Sequence, residues 1–263
     1  MRHKILSLIL LATPLLNAQE IKKPKLVLGI VVDQMRFDYI YKYWNKFGDG
    51  GFKRLVNGGY QCKNLQYNYV PTYTGPGHSS IYTGTTPERH GIISNDWFNR
   101  ETNRSIYCSE DPSVKTIGSK TEKVGQMSPR NLLSTTVGDE LRVASKQGSR
   151  VYGIALKDRA AILPAGHLAN AAYWFDGATG NFVSSSFYCQ ELPKWLVEFN
   201  EKQKALAYLS QPWTTFLPIN QYTESLPDQT PYESPFKGTT SVTFPYNLKQ
   251  LMATNDGQNL IRA

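Results

Sequence analysis

Residues 26–33 read Leu-Val-Leu-Gly-Ile-Val-Val-Asp, an unbroken apolar run, rich in β-branched residues, that stops at a carboxylate. Continuous hydrophobicity over so short a length predicts a strand buried on both faces, as in the centre of a parallel sheet. Asp33 then falls at the carboxyl end of that strand. Ligands of open parallel sheets gather there, so a carboxylate in that place can hold a metal. Alone, Asp33 reads equally well as the cap of a following helix.

Downstream, the apolar spacing alternates between helical and extended periods. Met35, Tyr39, Ile40 and Tyr43 predict a helix over residues 34–44, and residues 52–56 a shorter one before Gly58-Gly59. Residues 60–69 read as extended, 71–77 as a turn-rich loop and 78–82 as a helix. A further helix is expected over 132–147 and a strand over 150–156. Strands alternating with helices predict an α/β fold, a mostly parallel sheet flanked by helices. From about Gly166 the pattern changes. Residues 171–188 read as a hairpin around Asp176-Gly177-Ala178-Thr179-Gly180, and residues 193–209 carry an amphipathic helical pattern. Pro, Tyr, Thr and Ser then dominate up to about Tyr246. The expected domains are therefore 19–165 as the first part of a core, 166–246 as an inserted cap, and 247–263 as a return to the core.

The amino terminus is read separately. Arg2 and Lys4 precede the apolar run 5–16, and Asn17-Ala18 leads into polar Gln19-Glu20. That layout predicts a secretory signal peptide over 1–18, too short for a membrane span of about 20 apolar residues. The expected location is exported, periplasmic or secreted. Without those residues 27 basic side chains face 21 acidic ones, a formal +6. Such a balance suits an anionic substrate, and the scattered charges show none of the Lys/Arg blocks of a nucleic-acid-binding tail. Three cysteines, Cys62, Cys108 and Cys189, lack a CxxC pair; an exported chain could form one disulfide with one thiol left over.

Three further places can carry chemistry. In Tyr73-Thr74-Gly75-Pro76-Gly77-His78 the glycines allow a sharp turn, and Thr74 would lie at a helix N-terminus, where negative charge is favoured. Asn95 could donate an amide N–H to a phosphoryl oxygen, though Asn-Asp is also an ordinary turn pair. Lys157-Asp158-Arg159 follows a strand; on an extended segment Lys157 and Arg159 would face the same way and meet one anion. Each alone has a plain structural explanation.

Together, the runs VDQMRFDYI, VPTYTGPGHSS, IYTGTTPERHGIISND and ALKDRAAILPAGH resemble the alkaline phosphatase superfamily, and more narrowly its exported bacterial PafA-type branch, over nearly all of the chain after the leader. The resemblance implies a phosphate monoester hydrolase with two zinc ions. Thr74 would be the nucleophile, passing through a phospho-threonine, with Asp33 and Thr74 as metal ligands. Asn95, Lys157 and Arg159 would bind the substrate's phosphoryl oxygens. His78, Ser79, His90 and His167 match no catalytic position and are read as structural. Gly77-His78-Ser79-Ser80-Ile81 also lacks the final glycine of a serine hydrolase elbow. The remaining zinc ligands of the family lie beyond the part matched by this chain, so the expectation is a truncated chain, inactive alone. The alternatives are a phosphodiesterase or nucleotide pyrophosphatase on the same scaffold, or a non-catalytic phosphate-binding fragment. No nucleic-acid partner and no membrane span are expected.

Overall fold

The computed structural model describes residues 24–254, and the chain divides into two compact units, 1–34 and 35–263. The signal-peptide reading and the last part of the carboxyl-terminal return fall outside the described residues. In the first unit, residues 26–32 do not form the expected strand. They run without regular hydrogen bonding, and Leu26, Val27, Leu28 and Ile30 are each at least 74% exposed. The reason is that a strand exists only through its neighbours, and this run belongs to neither sheet among the described residues. Asp33 accordingly ends no strand; its Oδ1 accepts the backbone N–H of Gln34 at 3.0 Å.

The second unit carries helices α1 (Tyr39–Lys42), α2 (Gly51–Gly58), α3 (Thr74–Thr83), α4 (Pro87–His90), α5 (Val137–Ala144), α6 (Asp158–Ala165), α7 (Lys194–Glu201), α8 (Lys204–Leu209) and α9 (Leu248–Thr254). Its strands are β1 (Asp96–Asn99), β2 (Arg104–Tyr107), β3 (Thr116–Ile117), β4 (Tyr152–Ala155), β5 (Ala171–Asp176) and β6 (Asn181–Ser185). β1 and β2 form an antiparallel hairpin, and the other four make a sheet in the order β3-β6-β5-β4. The α/β class holds. Its parallel part is one β4-α6-β5 unit, whereas β5–β6 and β3–β6 are antiparallel. The hairpin expected over 171–188 is present, and it continues the sheet of β4 across residue 166. The sheet is incomplete in this chain: β4 is an edge, and Tyr152 and Ile154 are exposed along it.

Helix α6 holds the unit together because it is apolar on two sides. Ala161, Ile162 and Ala165 pack with Ala172, Trp174 and Val183 of the sheet, while Leu163 packs with Ile92, Cys108 and Leu132. Ile162 and Leu163 are completely buried, each contributing roughly 1.5–3 kcal/mol relative to exposure. β4 lies so close that a side chain at Gly153 would collide with the Ala161 carbonyl. Helix α5 starts on a capping box: Thr136 Oγ1 accepts from Asp139 N at 3.1 Å, and Asp139 Oδ2 accepts from Thr136 N at 2.9 Å. The other Asp139 oxygen accepts the Leu168 N–H at 2.6 Å, which satisfies a fully buried carboxylate. Gly166 sits against that carboxylate at φ +80°, where a side chain would have neither the conformation nor the room.

Several expected boundaries shift, and the helix expected over 132–147 is confined to α5, whose capping box sets its start. Helix α3 begins at Thr74, inside the segment read as a loop. Pro76 is tolerated there because a first-turn residue has no intrahelical N–H bond to lose. The helix of 34–44 contracts to α1. The pattern over 193–209 splits into α7 and α8 at Gln203, which adopts φ 43°. Residues 60–69 form no strand; Tyr67 and Tyr69 instead donate to the carbonyls of Gly77 and Pro76 under α3. The chain beyond α8 has little regular structure, and it closes on itself where Trp213 and Tyr246 exchange backbone hydrogen bonds at 2.9 and 3.0 Å. Cys62, Cys108 and Cys189 are all free thiols, so the permitted disulfide is not formed. Among the described residues no helix is long and apolar enough to cross a membrane.

Candidate active site

Thr74 is the first residue of α3, half-buried, after an extended Tyr73 that offers no side-chain cap. The amide supply at this helix end is smaller than the motif suggests. Pro76 has no N–H, and Gly75 donates its own to Asn95 Oδ1 at 2.7 Å. Asn95 is held from a second direction, because its carbonyl accepts the Cys108 N–H at 2.9 Å where β2 ends. Space at 75 is tight: an added Cβ would lie 3.2 Å from Asn95 Oδ1 and 3.3 Å from Cys108 Sγ, so both would have to give by a few tenths of an ångström. Cys108 itself is fully buried, and burial, reinforced by the Asp158 carboxylate, pushes its thiol up to about 12, so it packs as a neutral group.

Next along the chain, Tyr107 connects this corner to the amino end of α6. Its hydroxyl donates to Asp158 Oδ1 at 2.7 Å and accepts from Arg159 Nη1 at 2.9 Å. Ser109 Oγ donates to the other Asp158 oxygen at 3.0 Å. Burial raises the Tyr107 pKa well above the ordinary phenol range, with Asp158 adding to it. Burial works against the Arg159 charge, but the hydrogen bond to Tyr107 and the Asp158 carboxylate outweigh it and its pKa is raised. An open cleft of about 280 Å³ lies over this cluster, lined on its polar side by Tyr107, Lys157, Asp158 and Arg159 and on its apolar side by Met127 and Trp174.

The cation pair therefore shares a cleft, but not by strand alternation. Lys157 is the extended residue before α6, and Arg159 is the second residue of the helix. Thr74, Asn95 and Arg159 are linked through a short path of contacts: Gly75 to Asn95, Asn95 to Cys108, and adjacent Tyr107 to Arg159. Asp33 lies in the other unit. Sequence reading missed Tyr107 and Ser109 and gave Asp158 no role. The signals were slight: two hydroxyls in Tyr107-Cys108-Ser109 and a carboxylate between two cations.

The three described histidines, His78, His90 and His167, are tied to the scaffold. His78 Nδ1 lies 2.9 Å from the Thr74 carbonyl, and His167 Nε2 is 2.9 Å from that of Leu132. His90 accepts the Ile92 N–H on Nδ1 at 3.2 Å, so its Nε2 carries the proton and donates to Ser80 Oγ at 2.9 Å. Among the described residues, no three His, Cys, Asp or Glu side chains gather as a group that could hold a metal ion.

The profile of the family described as type I phosphodiesterase / nucleotide pyrophosphatase matches residues 27–244, and the chain belongs to that family. Within it, the chain is 49% identical over 241 residues to alkaline phosphatase PafA of Elizabethkingia meningoseptica, covering 90% of this chain and 44% of PafA. It is 50% identical over 242 residues to alkaline phosphatase PhoV of Synechococcus elongatus, covering 92% and 44%. The crystal structure of wild-type PafA superposes with a TM-score of 0.86 at 49% identity, over 90% of this chain and 45% of that one. A PafA variant substituted at a threonine, an asparagine, a lysine and an arginine matches with the same TM-score at 47% identity, over the same shares of the two chains. Those four positions are separated by 21, 62 and 2 residues, the separations of Thr74, Asn95, Lys157 and Arg159. The chain spans less than half the length of these relatives.

Proposed function

We propose that the full-length protein is an exported phosphate monoester hydrolase of the alkaline phosphatase type, with two zinc ions and a phospho-threonine at Thr74. The observation that carries this reading is the linkage of Thr74, Asn95 and Arg159 through Gly75, Cys108 and Tyr107. The matching separations of the four residues altered in the PafA variant support it. Thr74 Oγ1, losing its proton to solvent, forms a bond to phosphorus as the bond to the leaving oxygen breaks and that oxygen takes a proton from water. A water oxygen then bonds phosphorus as the Thr74 O–P bond breaks, releasing phosphate and restoring the hydroxyl. Asn95 donates from Nδ2, because its Oδ1 is taken by Gly75, and Lys157 and Arg159 meet the charge on the non-bridging oxygens.

Asp33 and Thr74 are the two zinc ligands proposed for this chain. Two oxygen ligands do not make a zinc centre, and the described residues gather no further group of donors. When bound, zinc would supply charge for the attacking and departing oxygens. The cap is proposed for the part of the chain from residue 193 to 246, since the hairpin before it belongs to the main sheet. A diesterase is the second reading, favoured by the family description; two cations in one cleft favour a dianionic monoester instead.

The test is acid quenching of the full-length protein during turnover of a monoester, followed by mass spectrometry. Phosphate is expected on the Thr74 peptide, with none after Thr74→Ala. A labelled Thr74→Ala protein would overturn the assignment.

A further inference from the structure

Arg159 is half-buried, its Nε is buried without a hydrogen-bond partner, and among the described residues its guanidinium is bonded through Nη1 to Tyr107 alone. A guanidinium has five donors and a flexible stem, so one bond sets where its charge points. Tyr107 makes that bond while its own proton goes to Asp158, and Asp158 is fastened on its far oxygen by Ser109. The order is therefore Ser109 to Asp158, Tyr107 to Asp158, and Arg159 to Tyr107. No direct ion pair joins Asp158 to Arg159. That separation has a consequence. A carboxylate paired directly with the guanidinium would use up its forked face and much of its charge; a phenol between them orients the cation and leaves its remaining donors free.

We propose that Tyr107, fastened by Asp158 and Ser109, is a positioning residue that holds Arg159 in the cleft for a phosphoryl dianion. The proposal rests on the reading of Arg159 as a phosphoryl contact. It adds that the strength of this contact is set by a residue that does not touch the substrate. The bridge requires a protonated phenol, and the raised Tyr107 pKa keeps it protonated in alkaline solution.

Binding of inorganic phosphate to the full-length protein, measured by calorimetry for a four-member cycle, tests this. The members are the unaltered chain, Tyr107→Phe, Arg159→Ala and the double variant. Tyr107→Phe is expected to weaken phosphate binding roughly tenfold, the scale of one hydrogen bond to a charged group. In the Arg159→Ala background the same change is expected to do nothing, which a general loosening of the fold would not reproduce. If Arg159→Ala weakens binding and Tyr107→Phe does not, the positioning role fails and the reading of Arg159 stands. If Arg159→Ala has no effect, or the unaltered chain binds no phosphate, the reading of the site fails and the positioning role with it. Should Tyr107→Phe not fold, Asp158→Asn replaces it, keeping the shape while removing the charge that holds the phenol, with the same loss and the same silence beside Arg159→Ala expected.

Discussion

Gly75 donates its backbone N–H to Oδ1 of Asn95 at 2.7 Å, and that bond fixes which way the Asn95 amide faces. An N–H can only donate, so the oxygen must turn toward α3 and both Nδ2 hydrogens are left for another acceptor. The helix gives up one amide of its own and gains the two-hydrogen donor of Asn95 beside Thr74.

Replacing Asn95 by Asp separates these two roles. Asp keeps an acceptor for Gly75 but loses the donors and adds a negative charge. Thermal stability should change little, while phosphate affinity and monoester turnover fall by roughly a hundredfold, the scale of losing one donor to a developing anion. Equal phosphate affinity for the two proteins, by calorimetry, would remove Asn95 from the site.

The two cations should discriminate between esters. A monoester dianion presents one more charged oxygen than a diester, so the full-length Lys157→Ala and Arg159→Ala variants should each lose about a hundredfold in kcat/KM on an aryl phosphate monoester and under about tenfold on the matching diester. Arg159 should show the larger contrast, because it is half-buried and oriented whereas Lys157 is exposed. Parallel losses on both substrates would count against a monoester preference.

His90 predicts a pH dependence of stability away from the chemistry. Burial holds its pKa down at about 4 against 6.5 in an open chain, and Ile92 donates to the nitrogen that would have to take the proton. The unfolded chain therefore binds this proton first. The contribution is fully present above about pH 6.5 and is lost as the pH falls toward about 4. Carboxylates titrate in the same range, so the measurement is a comparison: melting temperature against pH for the unaltered chain and for His90→Gln. The variant should melt lower at neutral pH, and its curve should fall less steeply between about pH 6.5 and 4. Identical slopes would show that His90 is not held neutral.

Much of the second unit was legible in the chain. The strand of 150–156 and the hairpin of 171–188 announced themselves by β-rich runs and a turn, because a strand's period and a tight turn are properties of neighbouring residues. Helix α5 was visible from the shared face of Val137 and Leu141, but its start was expected at 132, five residues before Val137, where the capping box of Thr136 and Asp139 begins it. The run 26–32 misled for the complementary reason. Apolar β-branched residues state a preference for pairing, but pairing needs a partner, and neither described sheet takes this run in. The start of α3 was misplaced because Gly-Pro-Gly reads as a turn, although a helix's first turn asks nothing of their amides.

Residue type and period by themselves determined the α/β class, and the order of the family-like motifs singled out Thr74, Asn95, Lys157 and Arg159, each of which alone read as an ordinary cap, turn or charge cluster. Only the tertiary structure decided how they are supported: that Asn95 is turned by Gly75, and that Arg159 is steered by Tyr107 from a hairpin some fifty residues earlier. Such contacts join segments far apart in sequence and depend on burial, which leaves each polar atom a small choice of partners. No local pattern records that choice.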